Sequence, residues 1–451
     1  KDDRISLFPA VSAILLAMKP RRLTGVERKS VTLAVTALGA RGEGMAQDGD
    51  RRVYIPGALP GETVRARLEE QVDRAVYRAS LEEVTGGAAE RMVAPCGHYE
   101  QCGGCALQHM QEAAYRGWKT AQVQAVLERA GVSPGAWLDP VFIPHATRRR
   151  ASFALRRQGR VLTVGFHSPR SHKIAPINAC LLLSPQLAST LERSRVYLPA
   201  LVPEGKPVDL FLQHIGGQVE AVLTGLSASP GMAERDAVTR WAEGVDLCQV
   251  SVRPGERDEA ETVLQRRPMI AHFGGLAVSL PPAAFLQPSR EGERALGETV
   301  SMLLGEAGGS PGPAADLFAG CGTFAGLLLE KMAVHAVELD VAAVKALSDA
   351  RAGSRLTVER RNLFTAPLMA KELKRFGTVL LDPPRAGAEA QCAALAGSDV
   401  PAVIYVSCHP ASFAHDARAL VAGGYRLKQA RIVDQFVWSA HAELVGLFMK
   451  L

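Results

Sequence analysis

Apolar and polar positions alternate with a period of two in four short runs between residues 26 and 86: VTLAVTAL, RRVYIPGALPGE, TVRARLEE and RASLEEV. Each run is bounded by Gly or Pro, and that alternation marks half-buried strands. Strands so short and so closely spaced predict a small, OB-like closed barrel. The pattern then changes. EAAYRGWKTAQVQAVLERAG has helical spacing and ends at Gly131 and Pro134. From about residue 281, apolar strand-like runs alternate with helical segments, the signature of a doubly wound sheet. VIYVSCHP, Val403 to Pro410, reads as a buried parallel strand whose carboxyl edge delivers Ser407, Cys408 and His409.

The expected architecture is therefore multi-domain. Residues 1–25 form a disordered or vector-derived tail, 26–86 the β-barrel, 87–280 a central α+β region, and 281–451 a Rossmann-like α/β domain. A chain of 451 residues that is 47% apolar and only 6% aromatic can bury more than one core. The apolar run LFPAVSAILLAM is too short to span a bilayer, and Asp2 and Asp3 stand where a basic leader would begin. Residues 1–17 read as a vector or upstream-translation remnant, and Met18 as the true start. With no other membrane candidate, a cytoplasmic, monomeric protein is expected.

The formal charge of +6 is modest, but its distribution is uneven. No acidic residue occurs between Asp139 and Glu192, whereas Arg148, Arg149, Arg150, Arg156, Arg157, Arg160, Arg170 and Lys173 do. Such a stretch attracts a polyanion, and phosphate contacts to a nucleic acid are its usual use. A solvated basic face is the plainer alternative.

PCGHYEQCGGC places Cys96, Cys102 and Cys105 at C-x5-C-x2-C on a Gly-rich loop. In a cytosolic protein such thiols are metal ligands rather than disulfides. Cys180, in the basic stretch, is the best candidate for a fourth ligand, with His98 its rival. Spacing leaves zinc and an iron–sulfur cluster equally open. It argues against a radical S-adenosylmethionine enzyme, whose C-x3-C-x2-C leaves one iron unligated.

AADLFAGCGTFA, Ala314 to Ala325, runs from a strand into Gly320 and Gly322 and then a helix, so the backbone can approach a ligand closely. Glu338 ends the next strand, where a carboxylate can grip ribose hydroxyls. Asn362 follows a third strand, near an adenine edge. Nicotinamide enzymes share the glycine pattern. The tetrad Asp382-Pro383-Pro384-Arg385 after the fourth strand instead marks a class I methyltransferase that uses S-adenosylmethionine. Arg385 stands where amino-group methyltransferases carry a base-stacking aromatic. Cys321 reads as a small packing residue.

Carbon-5 of uracil does not attack a methyl sulfonium unaided. A thiolate adding at carbon-6 makes the ring an enolate, and a base must afterwards remove the carbon-5 proton. Cys408 suits the first task and Glu443, opening the last strand HAELVGLFMK, the second. His441 is a rival base, or could orient Glu443. An H-x-E without a following P-C-x-x-C is not a zinc deaminase. A thiol titrating near about 8.5, with a sulfonium beside it, would supply enough thiolate at neutral pH.

DPPRAG, IYVSC and DQF…HAE resemble the uracil-5 RNA methyltransferases across roughly residues 25–451. RGEGMAQDGDRRVYIPGALPGE resembles their TRAM barrel, an RNA-binding module. The cysteine spacing is similar to the [4Fe-4S] site of the bacterial ribosomal-RNA members, which implies an iron–sulfur cluster on Cys96, Cys102, Cys105 and Cys180. The resemblance implies Cys408 as nucleophile and Glu443 as base. It also implies Gln287, Phe318, Glu338, Asn362 and Asp382 as contacts to the cofactor or the target uracil. The implied substrate is RNA, ribosomal RNA favoured and transfer RNA the alternative. His409, Ser412, Val437 and Trp438 depart from the family's residues, and no Asn follows Gln287; these positions bear on how the base is held. Two rivals belong to other classes, a non-catalytic RNA-binding or assembly factor and an iron–sulfur redox protein.

Overall fold

In a computed structural model of the chain, residues 21–23, 28–308, 312–350 and 355–451 are described. Residues 1–17, expected to be a remnant, lie outside the described residues, but the expected disordered tail 1–25 is corrected at its end: Arg21 and Arg22 pair with Gln71 and Glu70, and Leu23 is buried in the barrel core. The chain forms two compact units. The smaller holds the described residues through Pro95 with Cys105–Trp118 and Trp438–Ala440, and the larger holds Cys96–Gly104, Lys119–Val437 and His441–Leu451.

In the smaller unit, Ser30–Leu38, Gly44–Asp48, Arg51–Ile55, Thr63–Asp73 and Val76–Gly86 close into a five-stranded barrel, because Thr63–Asp73 pairs with both Ser30–Leu38 and Val76–Gly86. Exposed and buried residues alternate along TVRARL, and Val64, Ala66 and Leu68 join Leu33, Val35, Val53 and Ile55 in one core. The polar strand Gly44–Asp48 had no apolar alternation to announce it.

The larger unit contains two sheets of note. In the first, Arg150–Gln158, Pro207–Ile215, Gln218–Thr224 and Leu247–Arg253 form the middle of a seven-stranded sheet. Helices Pro185–Ser194 and Met232–Val245 pack on it around the fully buried Trp241. The second sheet has the order Leu356–Arg360, Val334–Glu338, Ala314–Leu317, Thr378–Leu381, Ala402–Ser407, Glu443–Lys450, Tyr425–Asp434. Its first five strands are parallel, and Glu443–Lys450 runs antiparallel to both its neighbours, so that Tyr425–Asp434 again points the way of the first five. AADL, TVLL and AVIYVS are buried at every position, as continuous apolar runs in a two-faced sheet should be.

Separate cores cover the two faces of this sheet. One of them includes the hairpin Ile270–Phe273 and Leu276–Ser279, and the short strands Ala136–Trp137 and Val141–Phe142 extend the sheet beyond Tyr425–Asp434. The α/β core thus also draws on residues before 281. No helix among the described residues is long and apolar enough to cross a membrane.

Candidate active site

The strand order reverses beside Ala314–Leu317, with Val334–Glu338 on one side and Thr378–Leu381 on the other. In open α/β sheets ligands bind at the carboxyl ends of strands at such a point. Phe318, Glu338, Asp382 and Cys408 each lie at or just beyond one of these ends.

The glycine loop is held in conformations that side chains resist. Gly320 and Gly322 have φ of 53° and 92°, and a Cβ on Gly322 would lie 2.5 Å from Leu347 Cδ1. Phe318 takes a φ of 63° without being glycine, and such strain clusters at ligand sites. Its ring stands 5.5 Å from that of Phe364. Gly320 N donates to Glu338 Oε2 at 2.9 Å, while Leu339 N and Asp340 N donate to Oε1 at 2.6 and 2.8 Å. Glu338 therefore ties the second strand end to the loop. Asn362 accepts from Phe364 N at 3.0 Å and shapes the third.

Asp316, inside AADLF, escaped the sequence reading. It is fully buried beneath the loop, where the backbone of Ala325 is the group that favours its charged form. Burial, with the charge of Glu338 adding to it, pushes its carboxyl up to about 8. A lone carboxylate in an otherwise apolar strand was the available signal. Cys321 is buried, as a packing residue should be.

Cys408 follows Ala402–Ser407, and the pairing Ser407↔Leu444 sets Glu443 opposite it. Burial, then the charges of Glu443 and Asp382, push the Cys408 thiol up to about 12, against the opposing influence of Arg385. This corrects the expectation of an ordinary thiol with a thiolate fraction at neutral pH. Asp382 is itself held well above the usual carboxylate range by burial, Glu443 and Asp316. Burial raises Glu443 to about 7, and a hydrogen bond from Gln435 opposes the rise. Gln435 Nε2 donates to Glu443 Oε1 at 3.0 Å and to Gln287 Oε1 at 2.7 Å. His441 is exposed and accepts from Arg385 Nη2 at 3.4 Å, so the hydrogen bond that orients Glu443 comes from Gln435.

Two arginines of the acid-free stretch belong to this machinery. Arg149, 3% exposed, donates from Nε to Gln287 O at 2.9 Å and from Nη2 to Glu293 Oε2 at 2.5 Å. Arg150 donates to Leu286 O at 2.7 Å, its guanidinium 4.7 Å from the Phe285 ring centre. They hold the loop carrying Gln287, which corrects their assignment to a phosphate footprint. Arg156, Arg160, Arg170 and Lys173 are exposed.

In the larger unit, burial raises the Cys102 thiol, and Cys180 and Cys96 are near enough to add to the rise. Burial likewise raises Cys180, with Cys96 again contributing. The loop is tied down beside Cys180: Gly103 N donates to His167 O at 3.0 Å, and His98 Nε2 pairs with Asn178 Oδ1 at 2.5 Å. His98, the rival ligand, is thus engaged with Asn178. Cys105 belongs to the smaller unit. The donor chemistry suits a thiolate-bound metal, but no three His, Cys, Asp or Glu side chains among the described residues are arranged to hold one.

Known proteins match this chain over nearly its whole length. It is 36% identical over 426 residues to an uncharacterized RNA methyltransferase of Brucella suis, covering 94% of this chain and 98% of the relative. It is 33% identical to the 23S rRNA (uracil(1939)-C(5))-methyltransferase RlmD of Halomonas elongata, covering 91% and 88%. The tRNA (Uracil-5-)-methyltransferase family matches residues 329–451. The chain belongs to the uracil-5 RNA methyltransferase family. Its dependence on S-adenosylmethionine goes with that membership, as the residues of the glycine loop and the D-P-P tetrad implied. The fold is that of the Pyrococcus abyssi tRNA (uracil-54, C5)-methyltransferase solved with S-adenosyl-L-homocysteine. The TM-score is 0.72 at 19% identity, covering 93% of this chain and 99% of the other.

Proposed function

We propose that this uracil-5 methyltransferase acts on a uridine of large-subunit ribosomal RNA through a covalent adduct at Cys408. The observation that carries the reading is Cys408 set opposite Glu443, with Asp382 near both. Bound S-adenosylmethionine supplies the electrophilic methyl group. Cys408, having lost its proton to solvent, adds as the thiolate to carbon-6 of a flipped uridine; the carbon–sulfur bond forms as the 5,6 double bond opens, and the electron pair placed at carbon-5 takes the methyl as its bond to the sulfonium sulfur breaks. Glu443 then accepts the carbon-5 proton, the double bond re-forms, and the thiolate leaves. A carboxyl near about 7 suits that exchange at neutral pH. A cationic sulfonium bound at this end of the sheet would offset the carboxylates that hold the Cys408 proton on.

In this reading Phe318, Gly320, Gly322, Glu338, Asn362 and Asp382 hold the cofactor, and Gln287 meets the cofactor or the uracil. The barrel is a TRAM module that grips RNA together with Arg156, Arg160, Arg170 and Lys173. Cys96, Cys102 and Cys180, with Cys105 added on its chain spacing, hold a [4Fe-4S] cluster. The enzyme works as a cytoplasmic monomer. Ribosomal RNA is favoured by the name of the Halomonas relative. Transfer RNA is the second reading, supported by the names of the matched family and of the Pyrococcus structure.

The test is mass-spectrometric mapping of 5-methyluridine in RNA from a deletion strain. Loss at one ribosomal uridine, restored by the wild-type gene and not by Cys408→Ala, is the expected result. Loss in transfer RNA alone would move the substrate to the second reading.

A further inference from the structure

Gln435 follows the strand Tyr425–Asp434, is 4% exposed, and meets two acceptors with one nitrogen. Its Nε2 donates to Glu443 Oε1 and to Gln287 Oε1, which commits both amide protons. The orientation is fixed by charge, since the amide oxygen turned the other way would face a carboxylate oxygen. Gln435 Oε1 is buried and has no hydrogen-bond partner among the described residues. Room for it exists because residue 292 is glycine: a Cβ there would lie 2.2 Å from Oε1. Leaving a buried carbonyl unpaired is unfavourable, so the side chain adopts this pose for what its nitrogen does.

The segment around Gln435 is braced. Lys119, fully buried, pairs with Asp434 Oδ1 and donates to Phe436 O at 3.1 Å, and Asp434 Oδ1 also accepts from Phe436 N at 3.1 Å. The neighbouring Val433 is the register partner of Glu443. Donor and carboxylate therefore sit on adjacent, hydrogen-bonded strands with little freedom to separate.

We propose that Gln435 is a positioning residue for proton abstraction, its amide holding Glu443 in place and favouring its charged form; this rests on the reading of Glu443 as the base. The groups around Glu443 are Asp382 beyond Thr378–Leu381 and Cys408 beyond Ala402–Ser407, with Asp316 next to Asp382 and Arg385 next to Cys408 and His441. Burial opposes ionisation of Glu443, and the Gln435 amide is the neutral donor that favours it. Without that donor Glu443 titrates higher, less carboxylate is present at neutral pH, and proton abstraction recovers as pH rises.

The experiment measures release of methylated RNA in single turnovers of the full-length enzyme between pH 6 and 9, with the covalent complex followed on denaturing gels. Gln435→Met should move the acid limb up by about one pH unit. Release at pH 7 then falls about fivefold, while the pH 9 rate stays near wild type. The methylated adduct should accumulate at pH 7 and clear at pH 9. A loss of equal size at every pH, or an unshifted limb, overturns the proposal. Should Gln435→Met not fold, Gln435→Leu, which likewise has no donor, carries the same test with the same expected shift. Wild type and Glu443→Gln report separately on the underlying reading: if neither forms an adduct, that reading fails whatever Gln435 does.

Discussion

Ser407 and Leu444 are register partners across the antiparallel contact between Ala402–Ser407 and Glu443–Lys450, which leaves Cys408 and Glu443 facing each other at the strand ends. The arrangement needs the antiparallel last strand. A parallel strand in that place would present its start at the opposite edge of the sheet.

The two residues act at different steps in this mechanism, so they should fail differently. Cys408→Ala should give neither product nor covalent complex. Glu443→Gln should add to the ring and transfer methyl, then stall, because nothing takes the carbon-5 proton. Its adduct should survive denaturing gels, carry the methyl group, and map by peptide mass to Cys408. RNA bearing 5-fluorouridine should trap the wild-type enzyme in the same way. Near-normal turnover by Cys408→Ala would overturn the covalent mechanism and leave Cys408 a small packing residue.

What the sequence disclosed and what it hid have separate physical origins. The strands AADL, TVLL and AVIYVS were legible because burial on both faces demands mostly apolar runs, and the residues at their ends followed directly. Gln435 was not, because a single Gln after an Asp has no periodicity, and its importance comes from two acceptors 8 and 148 positions away in the chain. The arginines misled for a related reason. A run of guanidinium groups looks the same in sequence whether its forks meet phosphates or, like Arg149 and Arg150, the carbonyls of Gln287 and Leu286.

Asp316 should make the cofactor-free protein less stable as pH rises. Unfolded, an aspartate titrates near about 3.9; folded, burial lifts it to about 8. Between those values the native state holds the extra proton, so stability falls with rising pH until the folded group has ionised. Asn cannot ionise. The melting temperature of Asp316→Asn minus that of wild type should therefore grow from pH 5 to pH 8, by on the order of 2–4 °C. A difference that stays constant across that range would refute the assignment.

The basic stretch should divide into two classes. Arg149→Ala removes hydrogen bonds to Gln287 O and to the Glu293 carboxylate, and should destabilise the fold by roughly 1.5–3 kcal/mol. Turnover should fall with it, since the loop carrying Gln287 loses its anchor. Replacing Arg156, Arg160, Arg170 and Lys173 together by Ala should leave the melting temperature nearly unchanged, weaken RNA binding, and flatten its dependence on salt. Equal salt slopes for this variant and wild type would place the phosphate footprint elsewhere.

The cysteines give the last prediction. Cys96 and Cys102 lie on a loop that hydrogen bonds from Gly103 to His167 and between His98 and Asn178 hold beside Cys180. Cys102 and Cys180 are raised as free thiols, by burial and by their sulfur neighbours. Metal binding releases those protons and replaces mutual repulsion with bonds, so the loaded site should be the more stable state. Anaerobically purified protein should be brown and contain iron and acid-labile sulfide. Cys180→Ala should lose both and melt lower, because that ligand joins segments about seventy-five residues apart in sequence and holds a site that closes a long loop. S-adenosylmethionine affinity should persist in this variant, since the residues proposed to hold the cofactor lie on the glycine loop and the strand ends around it. Colourless protein carrying stoichiometric zinc would overturn the iron–sulfur assignment while leaving the four thiols as ligands, and metal-free protein of unchanged stability would remove the site altogether.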